Sequence, residues 1–143
     1  MFNFDLYLPT RLVFGKGRID ELPDLTRSYG SKILLTYGGG SIKRSGIYDK
    51  IKELYKGAEI FELSGIEPNP KNIAAGAFYD GDPWDLVLDS SKIGRTLPLF
   101  SVLTLSATGS EYDNSGVISN EDTHEKMPIF GNLWPVASIC DPT

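Results

Sequence analysis

Leu34-Leu35-Thr36-Tyr37-Gly38-Gly39-Gly40-Ser41-Ile42-Lys43-Arg44-Ser45-Gly46 is an apolar run that ends in three glycines just before a helix-like segment. Glycines at a strand-to-helix turn have no Cβ to obstruct a ligand, and the following helix presents free N–H groups and a positive dipole end. Ser41, Lys43 and Arg44 add a hydroxyl and two positive charges. The triplet therefore reads either as a tight turn or as a loop that receives a nucleotide cofactor.

Outward from this turn, strands and helices alternate. Ile33 to Tyr37 reads as a buried strand, Ile47 to Tyr55 as an amphipathic helix with Ile47, Ile51 and Leu54 on one side, and Ala58 to Leu63 as another strand. Upstream, Phe2 to Tyr7 and Arg11 to Gly15 read as two short strands, followed by a helix over 18–29 that ends at Gly30. Downstream, the prolines of Glu67-Pro68-Asn69-Pro70 preclude regular structure. Short helical turns are expected at 73–79 and 84–87, a strand at 97–105, a hairpin of 117–119 with 127–130, and a last strand at 136–140. Strands separated by helices predict an α/β fold with a parallel sheet and right-handed crossovers. Ligands of such sheets gather at the carboxyl ends of the strands.

Composition bounds the function. The chain has 143 residues, enough for one domain with a real core, and 41% hydrophobic and 23% charged residues, ordinary for a soluble globular protein. A net charge of −5 with scattered basic residues argues against a nucleic-acid partner. No apolar run approaches the roughly 20 residues that span a bilayer, so a cytoplasmic protein without membrane contact is expected. Cys140, the single cysteine, lies among Ala137 and Ile139 and reads as a structural thiol. His124, the single histidine, belongs to a polar turn, so no metal-ligand pattern is expected. No nucleophile with a nearby base is readable either, and no catalytic residue is assigned.

Three strand ends carry small or polar groups: Gly38 to Ser41, Pro68 to Pro70, and Thr104 to Ser110. Neighbouring strands would bring these loops to one rim, where Thr104, Thr108, Ser110 and Asn69 offer hydrogen bonds to ribose, amide or phosphate; each is also readable as a local turn residue. Thr108-Gly109-Ser110-Glu111 further resembles a helix-capping arrangement.

Taken in order, Pro9 to Gly17, Tyr37 to Lys43, Gly65 to Pro70, Tyr79 to Trp84, Leu103 to Glu111, Val117 to Asn120 and Asp141-Pro142-Thr143 resemble the iron-containing (group III) alcohol dehydrogenases, especially their NADPH-dependent butanol dehydrogenase branch. The resemblance implies a Rossmann-like three-layer domain for NAD(P), here incomplete, with an N-terminal strand pair and a hairpin. The family's helical domain, which supplies an aspartate and histidines for a metal, lies beyond Asp141-Pro142-Thr143. Residue by residue it implies cofactor contacts at Gly38, Gly39, Gly40 and Ser41 on the adenosine side and at Asn69. It further implies Thr104 and Thr108 near the nicotinamide half, and Lys126.

NAD-preferring members often carry an aspartate near Gly38. Here Lys43 and Arg44 stand nearby instead, so NADP(H) is the expected nucleotide. In the family a longer stretch, with a second Gly-Gly-Gly-Ser turn for the diphosphate, separates Pro70 from the Ala-Gly-Ala helix; here Lys71 joins Asn72 directly. Cofactor binding is therefore expected to be weakened or lost, and independent metal-dependent turnover is not expected. Asp113 stands where relatives usually carry asparagine, which would weaken anion binding. The missing strand leaves open edges, which predicts a homodimer or a strand-exchanged oligomer, and admits a non-catalytic structural role as the alternative.

Overall fold

The computed structural model describes residues 3, 5, 7–66, 71–105 and 109–142. Strand β1 (Arg11–Phe14) is followed by a broken helical stretch whose α-helical part is α1 (Leu22–Thr26), flanked by 3-10 turns at Arg18–Glu21 and Arg27–Tyr29. The single helix expected over 18–29 is interrupted for local reasons. Pro23 stands in the first turn, and the Thr26 hydroxyl donates back to the Leu22 and Pro23 carbonyls. Gly30, at φ 128°, ends the segment.

Next come β2 (Lys32–Thr36), the short α2 (Ser41–Arg44), α3 (Ile47–Leu54) and β3 (Glu59–Leu63). Gly46, at φ 79°, breaks α2 from α3. The later elements are α4 (Lys71–Gly76), α5 (Asp85–Leu88), β4 (Phe100–Leu103), β5 (Ser115–Asn120), β6 (Glu125–Phe130) and β7 (Ala137–Cys140). β4 is shorter than the apolar run that announced it, because Pro98 has no N–H to give a ladder. None of the described helices is long and apolar enough to cross a membrane.

The strands form three sheets: β1-β7-β4 parallel, β2-β3 parallel, and the antiparallel hairpin β5-β6. The α/β class and parallel pairing match the expectation. The N-terminal strand pair does not form among the described residues: Asn3, Asp5 and Tyr7 lie in no strand, and β1 pairs instead with β7, Val13 opposite Ile139. Sequence distance hid this pairing, which joins the two ends of the described chain. The Thr108 capping arrangement is also corrected in part. Residues 110–112 form a turn closed by Tyr112 N–H on the Gly109 carbonyl, and no helix follows; Thr108 lies outside the described residues.

Two apolar clusters hold the fold. Val13, Ile19, Leu22, Ile51 and Ile139 are buried where α1 and α3 cover the sheet around β7, joined by Leu35, Leu54, Phe100 and Val102. Ala75, Leu86, Val87, Ile129 and Leu133 bind α4 and α5 to the hairpin. Lys71, also buried, ties α4 to the entry of β5, its Nζ donating to the carbonyls of Asp113 (2.6 Å) and Ser115 (3.0 Å).

Candidate functional site

The glycine turn sits at the carboxyl end of β2 and is braced from behind. Gly65 N–H donates to the Gly38 carbonyl at 3.0 Å, and Ile66 N–H to the Tyr37 carbonyl at 3.3 Å. A Cβ on Gly38 would stand 3.2 Å from the Ile66 carbonyl oxygen, so this turn depends on glycine for close backbone approach. Gly40 precedes α2, its carbonyl taking the Arg44 N–H, with the Arg44 guanidinium folded back toward it.

Beside the turn stands a cluster that the sequence did not announce. The hydroxyls of Tyr37 and Tyr48 both donate to Glu62, and Lys52 Nζ lies 2.8 Å from Glu62 Oε1. Lys43 Nζ rests 5.4 Å from the Tyr37 ring centre and 4.9 Å from that of Tyr48. The Lys52 hydrogen bond, with help from the two tyrosines, holds the Glu62 carboxyl below its usual range. An acid thus stands against the Tyr37 hydroxyl, brought there by the β2–β3 register that sets Leu35 opposite Glu62. Its charge is answered by Lys52. Only cross-strand register could have found it, since Gly38 and Glu62 are 24 positions apart in sequence.

Two cavities open near the strand ends. The larger, about 420 Å³, lies between β2 and β4 and takes Thr36, Tyr37, Ile42 and Thr104 into its lining. The smaller, about 320 Å³, lies among the ends of β1, β4 and β7 and is lined by Thr104, Glu111, Cys140 and Asp141. Thr104 therefore borders both. Burial pushes the pKa of the Cys140 thiol up, with the Glu111 charge adding to it. Asp141 accepts the Ile19 N–H at 3.1 Å, a structural duty at the start of the broken helix. Asp113 accepts both the N–H and the hydroxyl of Ser115, so this carboxylate is engaged in its own turn.

Of the residues singled out in the sequence, Gly38, Gly39, Gly40, Ser41 and Lys43 follow the end of β2 and line neither cavity, whereas Thr104, just past β4, lines both. Lys126 is exposed on the hairpin, opposite Ser119, and lines neither cavity. Asn69 and Thr108 lie outside the described residues. His124 is exposed in the β5–β6 turn at φ 56°. Among the described residues no group of three His, Cys, Asp or Glu side chains is placed to hold a metal ion.

Known proteins give this geometry its relatives. The profile of the family "Iron-containing alcohol dehydrogenase" matches residues 9–78 and 71–142. The chain is 44% identical over 178 residues to the NADH-dependent butanol dehydrogenase A of Clostridium acetobutylicum, covering all of this chain and 46% of that protein. It is 35% identical over 178 residues to the NADPH-dependent aldehyde reductase YqhD of Escherichia coli, covering 99% of this chain and 46% of the relative. Its fold superposes on the crystal structure of NADH-dependent butanol dehydrogenase A from Thermotoga maritima with a TM-score of 0.89 at 38% identity, over 98% of this chain and 44% of the other. The chain thus spans about half the length of these relatives, and an alignment of 178 residues against 143 leaves positions of the relative without a counterpart here. By profile, sequence and fold together, the chain belongs to the iron-containing alcohol dehydrogenase family.

Proposed function

We propose that residues 1–143 form one NAD(P)-binding-type domain, the cofactor half of an oxidoreductase that interconverts alcohols and aldehydes by hydride transfer. The observation that carries this reading is the braced Gly38–Gly40 turn at the carboxyl end of a parallel strand, next to a cavity whose lining runs up to Tyr37 on that strand and takes in Thr104 at the end of another. Gly38, Gly39, Gly40, Ser41 and Lys43 would hold the adenosine side, and Asn69, Thr104, Thr108 and Lys126 the remainder. The bound nucleotide would supply the hydride. The described residues do not fit the iron of the family name, and no step is assigned to a metal. Activity of the purified chain is expected to be indifferent to chelators, and chelator sensitivity would overturn this part.

The two stretches of the family match meet at 71–78, which supports an internal shortening near Lys71 that removes the second glycine turn. Weak nucleotide binding follows. The relatives include both NADH- and NADPH-dependent proteins; the preference for NADP(H) rests on Lys43 and Arg44 beside Gly40. Calorimetric titration is expected to give tighter binding of NADPH than NADH. Reversing both charges, Lys43→Glu with Arg44→Glu, is expected to weaken NADPH roughly tenfold, about 1.4 kcal/mol, and NADH little. Equal affinities in the parent chain would sink the preference, and absence of binding by either nucleotide would sink the cofactor reading.

A specific observation favours the second reading, a self-associating remnant without catalysis. On one face of β2–β3, Leu34, Phe61 and Leu63 are 43%, 49% and 43% exposed, Leu34 opposite Phe61 in the ladder. A second copy could cover this apolar patch. Light scattering is expected to show a homodimer that Phe61→Lys converts to monomer; a parent chain that stays monomeric at every concentration excludes it.

A further inference from the structure

Between β2 and β4 the two parallel sheets do not meet; no ladder joins them among the described residues. The 420 Å³ cavity there is lined by six successive residues, Lys32 to Tyr37. A sheet face presents alternate residues, whereas an edge presents all of them, so this wall is the free edge of β2.

The hydrogen bonds tell which peptide groups face the gap. Glu59 donates to the Ser31 carbonyl and Tyr37 donates to that of Leu63, so the odd residues of β2 serve β3. The N–H and C=O groups of Lys32, Leu34 and Thr36 then turn toward the cavity. On the far wall, Gly15 donates to the Cys140 carbonyl, so even residues of β7 serve β1 and odd ones serve β4. With Phe100 opposite Ala137 in the register, this turns the peptide groups of Phe100, Val102 and Thr104 away from β7, and these three line the cavity. The surrounding side chains are apolar, Leu22, Ile51, Ile73, Ala74 and Leu97 among them.

We propose that this cavity is a strand-acceptor site whose occupant is an uncharged, extended Val/Ile/Leu-rich segment of about five residues that hydrogen-bonds both edges at once. Three observations select that occupant. Rows of donors and acceptors on two opposed edges are matched by a polypeptide backbone and by no small molecule. Apolar walls call for side chains of the kind a strand buried on both faces carries. The framework superposes at a TM-score of 0.89 over 98% of this chain on a longer relative, so the two edges stand in a framework that a solved structure shares. The occupant comes from another polypeptide. The site shares Thr104 with the dinucleotide reading, but its recognition uses strand edges and not the glycine turn.

Amide hydrogen exchange of the whole chain by NMR tests it, with the peptide acetyl-Lys-Val-Ile-Val-Ala-Val-Lys-amide as probe and a copy N-methylated at every second residue as control. The peptide is expected to slow exchange at Leu34, Thr36, Phe100 and Val102 by roughly tenfold or more, while Ile33 and Leu35, already in the ladder, stay unchanged. The N-methylated copy, which cannot satisfy one edge, is expected to leave all of them unchanged. The proposal is overturned by no slowing at millimolar peptide, or by equal slowing with the N-methylated copy, which signals mere apolar adhesion. It is overturned equally if those amides are already slow without peptide. Slow at every concentration means β2 pairs with β4 directly, and slow only at high concentration means a second copy fills the gap.

Discussion

Replacing Ile139 with alanine is expected to lower the stability of the chain by about 3–4 kcal/mol, near the middle of the usual range for deleting a buried aliphatic side chain. Ile139 is 0% exposed, in the central strand of the β1-β7-β4 sheet, with Val13 beside it on one strand and Val102 on the other. Its side chain joins Ile19, Leu22 and Ile51, so it links the strands to the helices that cover them. Collapse of the surroundings onto the vacated volume would soften the loss, but β7 is held by ladders on both sides and cannot shift toward the helices. Out of a typical total of about 5–15 kcal/mol, such a loss is large. Urea denaturation followed by tryptophan fluorescence should show the midpoint falling by about 1 M or more with an unchanged slope. Val117→Ala, at an exposed hairpin position, is the control and should change stability by less than about 0.5 kcal/mol. A loss below about 1 kcal/mol for Ile139→Ala would mean that this core is loosely packed.

That expectation rests on a pairing that sequence reading missed, which shows where local pattern stops being informative. The alternation of apolar runs and helical spacing announced β2, α3, β3, the hairpin and β7, because each is specified within a few residues by periodicity and a glycine or proline stop. The partner of β1 is not local. Phe2 to Tyr7 alternates as a strand should, yet β1 lies against β7, since that is where Val13 and Ile139 share one buried face. The helix over 18–29 failed differently, through Pro23 and the back-bonding of Thr26, both visible in the sequence but weak against the spacing of Ile19, Leu22 and Leu25. In the candidate site, the glycine turn was legible because three glycines directly after an apolar run are a local signal, and at Gly38 the Ile66 carbonyl supplies a steric reason for one of them. The Tyr37, Tyr48, Lys52 and Glu62 cluster was not, because its members are gathered by strand register and by the docking of α3. Lys71 has no local signal of burial; its burial depends on the approach of the Asp113–Ser115 turn, which no local pattern encodes.

Lys71→Met is the second large expectation, at about 2–4 kcal/mol of lost stability. Lys71 is 2% exposed, and its Nζ reaches the carbonyls of Asp113 and Ser115 from α4. Methionine keeps the apolar stem and roughly its volume, so no cavity opens; what is lost is the donor for two carbonyls in a place with little water. Hydrogen bonds to a charged group contribute about 1.5–3 kcal/mol each, partly offset because the variant no longer buries an ammonium. The pH dependence separates the two effects. Burial lowers the Lys71 pKa from its ordinary 10.5, with the Asp113 charge opposing. Between the lowered folded value and 10.5, the unfolded chain holds a proton that the folded chain has shed, so the wild-type stability from this group rises with pH across that window. The neutral amine still carries hydrogens for both carbonyls, so the contacts survive deprotonation. Methionine cannot titrate. The stability gap between wild type and Lys71→Met should therefore widen as pH climbs through the window, and titrations of other groups common to both chains cancel in the difference. Urea denaturation of both proteins at neutral pH and at steps toward pH 10.5 measures it. A gap that narrows as pH rises would mean that the buried lysine is stabilised as the ammonium, with the attraction of Asp113 outweighing the cost of burial.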